Sequence, residues 1–368
     1  MQFLLPLHKQ KVKYMKKSIL LLLAISLFSQ YAISSDKNDK TPVARRITIL
    51  ATGGTIAGAA PSATQASYKP GQLSVEHIIS SVPNIEKLAQ IKGIQVANIA
   101  SQDMNIGTWI KLHHIIDSLF TNNLTDGVVI THGTDTMEET TFFLNYTVKH
   151  KQPVVLVGAM RPASSISADG PMNLYKAVAL ASSEEAIGRG VMIFMNDNIF
   201  SAEDVSKQHT TNVDAFGSIN YGRLGYIKEA TPTFVREQKA GHTYQSPFDI
   251  KGLKTLPQVE IISAYSDASP IAFEALIDAG IDGIVISGVG HGNYNRAYAQ
   301  AIEKAITKGI IVVRSTRILK GGVNMHAEEY KPQVPVVYNH TPQTARILLM
   351  LLLSQTKDPE LIQESFKY

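Results

Sequence analysis

The segment from Ile47 to Gly58, "ITILATGGTIAG", joins two patterns that favour different backbone conformations. Its first half is a short apolar run rich in β-branched residues, which predicts a buried strand. Its second half places three glycines around Thr55, which indicates a tight turn at the end of that strand. A glycine turn after a strand is a common place to hold a ligand, so Thr55 is either part of a site or part of the turn.

The same strand pattern recurs along the chain, with helical patterns between its copies. Strands that are buried on both faces and separated by helices indicate βαβ crossovers and a mainly parallel sheet. The predicted fold is α/β, with a larger N-terminal domain whose mainly parallel sheet is flanked by helices and a smaller C-terminal α/β domain. The strand segments are "ITILAT", "GIQVANIA", "DGVVITH", "QPVVLVGA" and "GVMIFMND" in the first domain, and "QVEIISAY", "DGIVISGVG" and "IIVVRST" in the second.

The alternation of strands and helices is lost from Thr231 onward and resumes near residue 257. We therefore predict an N-terminal domain at 45–235, a linker at 236–256 and a C-terminal domain at 257–368. Near the end of the chain, "ILLMLLL" has seven apolar residues, far fewer than a membrane span requires. It is predicted to be a buried helix.

Residues 1–34 contain five lysines, no acidic residue and a short apolar run, "SILLLLAISLF". This pattern predicts a secretory signal peptide that is cleaved after Ser34, and hence a periplasmic or secreted protein. The alternative is an N-terminal membrane anchor, although the apolar run is too short to span a bilayer comfortably. Met15 directly precedes two lysines and is an alternative start, which would leave residues 1–14 untranslated.

Without residues 1–34 the chain has 30 basic and 31 acidic residues, a net charge of −1. No basic field remains that would indicate binding to nucleic acid. The chain has no cysteine, which excludes disulfides, thiol catalysis and cysteine-ligated metals. The motifs GxGxxG, GxxxxGK[ST], HExxH and GxSxG are absent, which weakens the case for a nucleotide-binding oxidoreductase. We expect no cofactor and no metal.

In an open parallel sheet, ligands bind beyond the carboxyl ends of the strands. Three of the four turns there carry a hydroxyl or a carboxylate, which favours a site. The alternative is structural: Thr136 and Glu139 fit a capping box, and Asp135 would suit the start of a helix. The four turns are Gly53-Gly54-Thr55, Ser101-Gln102-Asp103, His132-Gly133-Thr134-Asp135-Thr136 and Gly158-Ala159-Met160-Arg161.

A threonine hydroxyl is a poor nucleophile at neutral pH unless a base or a cation helps to remove its proton. Glycines beside such a threonine let backbone N–H groups approach a developing oxyanion. Thr55 and Thr134, the second of them beside Asp135, would therefore suit acyl transfer at a carbonyl carbon. Periodicity does not locate the proton acceptor.

Several segments together resemble the bacterial type II, exported L-asparaginases. The resemblance runs from about Arg46 to Tyr368, and the segments "TILATGGTIAG" and "ITHGTDTMEET" are highly specific as a pair. It implies a two-domain α/β enzyme that hydrolyses L-asparagine to L-aspartate and ammonia through a threonine acyl-enzyme. The segments are "TILATGGTIAG", "ASQDM", "ITHGTDTMEET", "VGAMRP", "SADGP" and "DPELIQ".

The resemblance also implies a role for individual residues. Thr55 matches the nucleophile, and Tyr68 matches a tyrosine on a flexible loop that closes over the site. Thr134, Asp135 and Lys207 match a second catalytic cluster, in which Lys207 acts as a base towards Thr134 and Asp135 orients the lysine. The substrate's α-carboxylate and α-ammonium would be held by Ser101, Gln102, Thr134 and Asp135.

Members of this family are homotetramers whose sites borrow residues from a neighbour, here Asp267 and Glu328. Asparagine-selective members often have Asn where this chain has Asp267, so a dual glutaminase-asparaginase is the alternative within the class. An exported amino-acid-binding protein is the alternative from another class, although the doubled threonine motifs do not suit it. His291, in "GVGHGN", is interpreted as a turn residue at a strand end.

Overall fold

The computed structural model describes residues 44–58, 71–239, 241–324 and 334–366. The predicted signal peptide at 1–34, Tyr68 and Glu328 lie outside these residues. Thirteen strands are found in the described part of the chain: β1 Arg46–Gly53, β2 Gln90–Ile99, β3 Gly127–Thr131, β4 Val154–Val157, β5 Val191–Met195, β6 Asn198–Ser201, β7 Val205–Lys207, β8 Phe216–Ser218, β9 Gly225–Lys228, β10 Thr231–Phe234, β11 Val259–Ser263, β12 Gly283–Gly288 and β13 Ile311–Thr316.

Eight of these strands form the larger sheet, in the order β10-β9-β6-β5-β4-β3-β1-β2. The five strands from β2 to β5 in this order are parallel, as predicted, whereas β6, β9 and β10 pair antiparallel. The direction reverses at Asn196 and Asp197, which have φ angles of 47° and 65°. Two consecutive residues with positive φ form the tight turn that suits the twist of a hairpin. The sheet is therefore mixed rather than purely parallel.

Helices cover both faces of this sheet because its central strands alternate apolar side chains between the two faces. α2 (Ile106–Thr121) and α3 (Met137–Thr147) pack with Leu50, Ile130 and Leu156 on one face. α1 (Val75–Ser80) and α4 (Gly170–Ser182) pack with Ile49 and Val129 on the other. The α/β prediction for this domain is confirmed. The helices of the described chain are α1 Val75–Ser80, α2 Ile106–Thr121, α3 Met137–Thr147, α4 Gly170–Ser182, α5 Ile271–Ala279, α6 Arg296–Thr307, α7 Pro342–Leu353 and α8 Pro359–Ser365.

The smaller C-terminal domain is built on the parallel sheet β11-β12-β13. α5 and α6 pack on one face of it, around Phe273 and Tyr298. α7 packs on the other face and contacts α3 of the larger domain. The residues from Ile347 to Leu353 are all buried, so the predicted buried helix is confirmed. Within the described residues, no helix combines the length and apolar character needed to cross a membrane.

The segment between the two domains is packed rather than extended. Residues 231–234, where the sequence pattern fades, form the edge strand β10. Further along, Phe248, Ile250 and Leu256 belong to the same core as α3 and α7. The connection therefore contributes apolar side chains that join the two domains.

Candidate active site

Three turns meet at the carboxyl end of the larger sheet because their glycines let the backbones touch. A Cβ on Gly54 would lie 2.3 Å from the nitrogen of Gly133, and one on Gly53 would lie 2.4 Å from the carbonyl oxygen of Ile99. A Cβ on Gly133 would lie 2.8 Å from the side chain of Ser101. No side chain fits into such gaps, so the turns that follow β1, β2 and β3 are close neighbours only with glycine at these positions.

Thr55 lies directly after this glycine contact. It begins a single turn of 3₁₀ helix, Thr55–Ala57, and its exposed fraction is 6%. Gly54, which precedes it, has a φ of 79°, a conformation that glycine adopts without strain. The turn is braced by the N–H of Gly58, which donates to the carbonyl of Thr55 at 2.8 Å. The glycines therefore bring the turn of Thr55, which is itself nearly covered, against the turn that carries Thr134.

The turn after β2 is joined to the turn after β3 through Ser101. The hydroxyl of Ser101 accepts the N–H of Asp135 at 3.3 Å, and the hydroxyl of Thr136 donates to the carbonyl of Ser101 at 2.7 Å. Thr136 is the N-cap residue of α3, but its side chain makes no capping hydrogen bond. The capping-box alternative is therefore wrong. The hydroxyl of Thr136 does not cap the helix, because it donates to the turn after β2. Gln102, beside Ser101, is exposed at this edge.

Lys207 reaches the same edge from β7. Its Nζ donates to Oγ1 of Thr134 at 2.8 Å and to Oδ1 of Asp135 at 2.6 Å. The lysine side chain is 16% exposed, whereas that of Asp135 is 60% exposed, and Thr134 is buried. The structure thus brings Lys207 to Thr134 and Asp135, which lie 73 and 72 positions before it in sequence.

This arrangement is suited to proton transfer. An amine held 2.8 Å from a hydroxyl can accept its proton once the amine has itself lost one, which makes the hydroxyl oxygen a nucleophile or a relay. The carboxylate of Asp135 orients the amine by a charge-assisted hydrogen bond. Because most of that carboxylate is open to solvent, it can also pair with an ammonium group of a ligand.

A buried histidine supports the turn of Thr134 from inside the protein. Nε1 of Trp109 donates to Oγ1 of Thr140 at 2.8 Å, and that hydroxyl lies 2.8 Å from Nε2 of His132. Nδ1 of His132 lies 2.6 Å from the carbonyl oxygen of Gly133. An indole N–H only donates and a carbonyl only accepts, so the neutral ring must carry its proton on Nδ1. Neither Trp109 nor Thr140 belongs to a sequence pattern that predicts this role.

We expect substitution of His132 by Gln to cost less stability in acid than at neutral pH. Burial lowers the pKa of His132 from 6.5 to about 4. Between these pH values the histidine is protonated in the unfolded chain, whereas the buried ring stays neutral in the folded chain. The stabilisation of the folded state by His132 is therefore complete above pH 6.5 and is lost as the pH falls to 4. Each pKa unit is worth 1.36 kcal/mol, so the cost of His132→Gln should shrink by about 3 kcal/mol over this range.

Urea unfolding of both proteins across this pH range measures the effect. The difference between variant and wild type isolates His132 from other groups that titrate, such as His113, whose pKa burial also lowers to about 4. A difference that stays constant with pH would contradict a neutral buried ring at this position.

The turn after β4 is fixed by a carboxylate and an amide. Asp169 accepts the N–H groups of Met160 at 3.0 Å and Arg161 at 2.9 Å. The side-chain amide of Asn173 donates to the carbonyl of Gly158 at 3.1 Å. A Cβ on Gly158 would lie 3.1 Å from the methyl group of Thr134, so this fourth turn also borders the site.

Two further residues named from the sequence lie elsewhere. Asp267 is exposed in the turn after β11, with a φ of 58°. Within the described residues, no hydrogen bond or ion pair joins it to Thr134, Asp135 or Lys207. His291 lies in the turn after β12, where its Nε2 accepts the N–H of Asn324 at 3.2 Å. No group of three or more His, Cys, Asp or Glu side chains suited to a metal occurs in the described part of the chain.

Comparison with known proteins identifies the family of this chain. A family model described as "Asparaginase, N-terminal" matches residues 46–240, and one described as "Glutaminase/Asparaginase C-terminal domain" matches residues 258–366. The chain belongs to the asparaginase family. This membership confirms the predicted class of enzyme, an asparaginase-type amidohydrolase.

Individual asparaginases are similar over most of their length. The probable periplasmic L-asparaginase of Haemophilus influenzae is 49% identical over 323 residues, which cover 87% of this chain and 92% of that protein. The glutaminase-asparaginase of Pseudomonas fluorescens biotype A is 40% identical over 344 residues, which cover 92% and 94%. A crystal structure of a probable cytoplasmic L-asparaginase from Campylobacter jejuni superposes with a TM-score of 0.86 at 45% identity, covering 88% and 99%. The predicted two-domain α/β fold is thereby confirmed.

Proposed function

We propose that this protein hydrolyses L-asparagine to L-aspartate and ammonia through an acyl-enzyme on Thr55. The observation that carries the proposal is the contact of Lys207 with Thr134 and Asp135, on a turn that touches the Gly54–Thr55 turn. A threonine nucleophile needs a nearby group that accepts a proton, and this cluster supplies one.

The reaction has two stages. The oxygen of Thr55 attacks the side-chain amide carbon, its proton passes to the departing nitrogen, and the C–N bond breaks to release ammonia. The resulting ester is attacked by water, which forms L-aspartate and returns a proton to the oxygen of Thr55. Thr134 and Lys207 move the protons in both stages, and Tyr68 would close over the site during them.

The substrate's charged ends explain the polar groups around the threonines. The open carboxylate of Asp135 suits the α-ammonium, and Ser101, Gln102 and Thr134 offer hydroxyl and amide groups for the α-carboxylate. We further propose a homotetramer in which Asp267 and Glu328 of a neighbouring subunit complete each site. The exposure of Asp267 in one chain is consistent with this proposal.

Ammonia release tests the proposal against an exported amino-acid-binding protein. The purified protein is given L-asparagine, ammonia is followed over many turnovers, and binding is followed by calorimetry. Sustained ammonia release is expected. Binding of asparagine without ammonia would support the binding protein instead.

Selectivity between asparagine and glutamine is expected to depend on Asp267. A pocket separates substrates that differ by one methylene by about 1–3 kcal/mol, so we expect kcat/KM for asparagine to exceed that for glutamine by ~10-fold or more. Asp267→Asn should widen the ratio further, because an amide replaces a charge at the edge of the pocket. Steady-state kinetics with both amides measure the ratio.

Asp278→Asn is the control, since it removes another exposed aspartate of the same domain that pairs with Lys308. Comparable values of kcat/KM for the two amides in the wild type would make the protein a dual glutaminase-asparaginase, the activity named for the Pseudomonas relative.

We also propose that the protein is exported and that residues 1–34 are its signal peptide. The Haemophilus relative is named as periplasmic and the Campylobacter protein as cytoplasmic, so the relatives alone leave both compartments open. Cell fractionation together with the N-terminal sequence of the mature protein tests this: a mature chain that begins after Ser34 supports export.

A further inference from the structure

Lys207 lies at the end of a very short two-stranded ribbon, β7–β8, whose residues Val205 and Phe216 pack in the core. It is the last residue of β7, which is three residues long and pairs only with the three residues of β8 among the described strands. Two such short strands form a ribbon that is marginal without outside contacts. The position of the lysine amine therefore depends on what else holds the main chain at Lys207.

The side chain of Glu138 contacts the main chain at Lys207. Oε2 of Glu138 accepts the backbone N–H of Lys207 at 2.5 Å. Glu138 lies in the first turn of α3, four residues after Thr134 and three after Asp135. A single stretch of chain, residues 134–138, thus contacts both ends of Lys207, with Thr134 and Asp135 at its Nζ and Glu138 at its backbone nitrogen.

From this geometry we propose that Glu138 is a positioning residue that fixes the main chain of Lys207 so that the amine stays on Thr134. The inference rests on the proposed function in one respect, namely that Lys207 transfers protons in the reaction. A displacement of the amine by about 1 Å would weaken proton transfer strongly, since reacting groups tolerate little misplacement. Binding of substrate would be affected far less.

The surroundings of Glu138 show which property of the side chain matters. A cavity of about 330 Å³ between the two domains contacts Glu138 and Lys207, whereas Thr134 and Asp135 are not among its lining residues. Burial raises the pKa of Glu138 to about 7, and the N–H of Lys207, the hydroxyl of Ser206 and the charge of Lys207 oppose that rise. The polar and charged groups that face this cavity include Ser206, Lys207, Arg317, His340 and Gln343, and Glu139 acts on Glu138 from the same helix.

Both protonation states of Glu138 are therefore populated near neutral pH, and each offers an oxygen to the N–H of Lys207. Glutamine offers a similar oxygen at every pH. The acceptor oxygen, rather than the negative charge, should be what positions Lys207. Glu138→Gln is accordingly the conservative variant that ought to rescue the reaction.

The experiment compares Glu138→Ala, Glu138→Met and Glu138→Gln by kinetics with L-asparagine, with urea unfolding and amide hydrogen exchange on the same samples. We expect the Ala and Met variants to lose kcat by ~10- to 100-fold while KM changes by less than ~3-fold. The Gln variant should stay within ~3-fold of the wild type. Exchange of the Lys207 amide should be ~10-fold faster or more in Ala and Met only. The Met variant keeps the side-chain volume if Ala impairs folding.

Glu139→Ala is the matched control. Glu139 is the next residue of α3, burial raises the pKa of its carboxyl as well, and the charge that favours its ionised form is that of Arg346. A merely structural role of Glu138 would lower the unfolding midpoint and leave kcat of the folded protein unchanged. That outcome would overturn the proposal. An equal loss of kcat in Glu138→Gln and Glu138→Ala would also overturn it, and so would an equal loss of kcat in Glu139→Ala. Failure of the wild type to release ammonia would instead overturn the proposed function, and the exchange measurement would still test the contact.

Discussion

Replacing Thr55 by Ala is expected to lower kcat by a factor of ~10³ or more while some binding of L-asparagine remains. The methyl side chain of alanine cannot form the ester on which the two-stage reaction depends. The turn is held by the bond from the N–H of Gly58 to the carbonyl of Thr55 and by the close approach of Gly54 to Gly133, so its backbone should survive the loss of the hydroxyl. Ammonia release measures turnover, and calorimetry measures the remaining affinity.

Two further substitutions separate chemistry from packing at this position. Thr55→Val keeps the branched shape without the hydroxyl and should be as inactive as Thr55→Ala, whereas Thr55→Ser keeps the hydroxyl and should retain measurable turnover. Thr48→Val removes a buried threonine hydroxyl earlier in β1 and serves as the control. Substantial turnover by Thr55→Val would contradict a nucleophilic role for Thr55.

Replacing Lys207 by Met is expected to lower kcat by ~10²- to 10⁴-fold, the range of a positioned acid or base. The variant removes the amine that contacts Thr134 and Asp135 but keeps most of the length of the side chain. KM should rise less than kcat falls, because the carboxylate of Asp135 remains in place for the substrate ammonium. Steady-state kinetics with L-asparagine give both constants.

Lys176→Met is a closely matched control for this prediction. Lys176 pairs with Asp197, and the exposed fractions of the two side chains are 12% and 62%, against 16% and 60% for Lys207 and Asp135. The two variants therefore disrupt ion pairs of similar exposure, one at the candidate site and one at the β5–β6 turn. If both substitutions reduced kcat equally, Lys207 would have no special part in proton transfer.

The parallel part of the fold follows from short, β-branched, apolar segments that alternate with helical patterns, and these were sufficient to predict it. The antiparallel part was missed because β6, β9 and β10 are only four residues long and have no helices between them. Its local signal was the pair Asn196-Asp197, two residue types that tolerate positive φ. Such a signal is weak in a chain rich in turns.

Only part of the candidate site could be predicted from the sequence. The turns of Thr55, Ser101 and Thr134 follow from the rule that parallel strands end at one edge. Lys207 does not, since a lysine in a three-residue strand has no pattern of its own and only the family resemblance pointed to it. Thr136 was given a local partner, Glu139, whereas in the fold its hydroxyl bonds to the carbonyl of Ser101, which is 35 residues away.

The contacts that support the site could not be predicted from any sequence pattern. His132 directly follows the buried strand β3, and its ring contacts Thr140 of α3, whose hydroxyl accepts the indole N–H of Trp109 from α2. Glu138 was part of a motif that named the family, yet its contact with the backbone of Lys207 depends on how β7 meets α3. Contacts of this kind arise from tertiary packing and become visible only in the folded chain.

The most direct test of a threonine acyl-enzyme is peptide mapping after a rapid acid quench of the protein mixed with L-asparagine. The peptide that contains Thr55 should carry the mass of one β-aspartyl group in the wild type, and the modification should be absent in Thr55→Val. Acylation of Thr134 with an unmodified Thr55, or continuous ammonia release with no acylated threonine at any quench time, would contradict the mechanism.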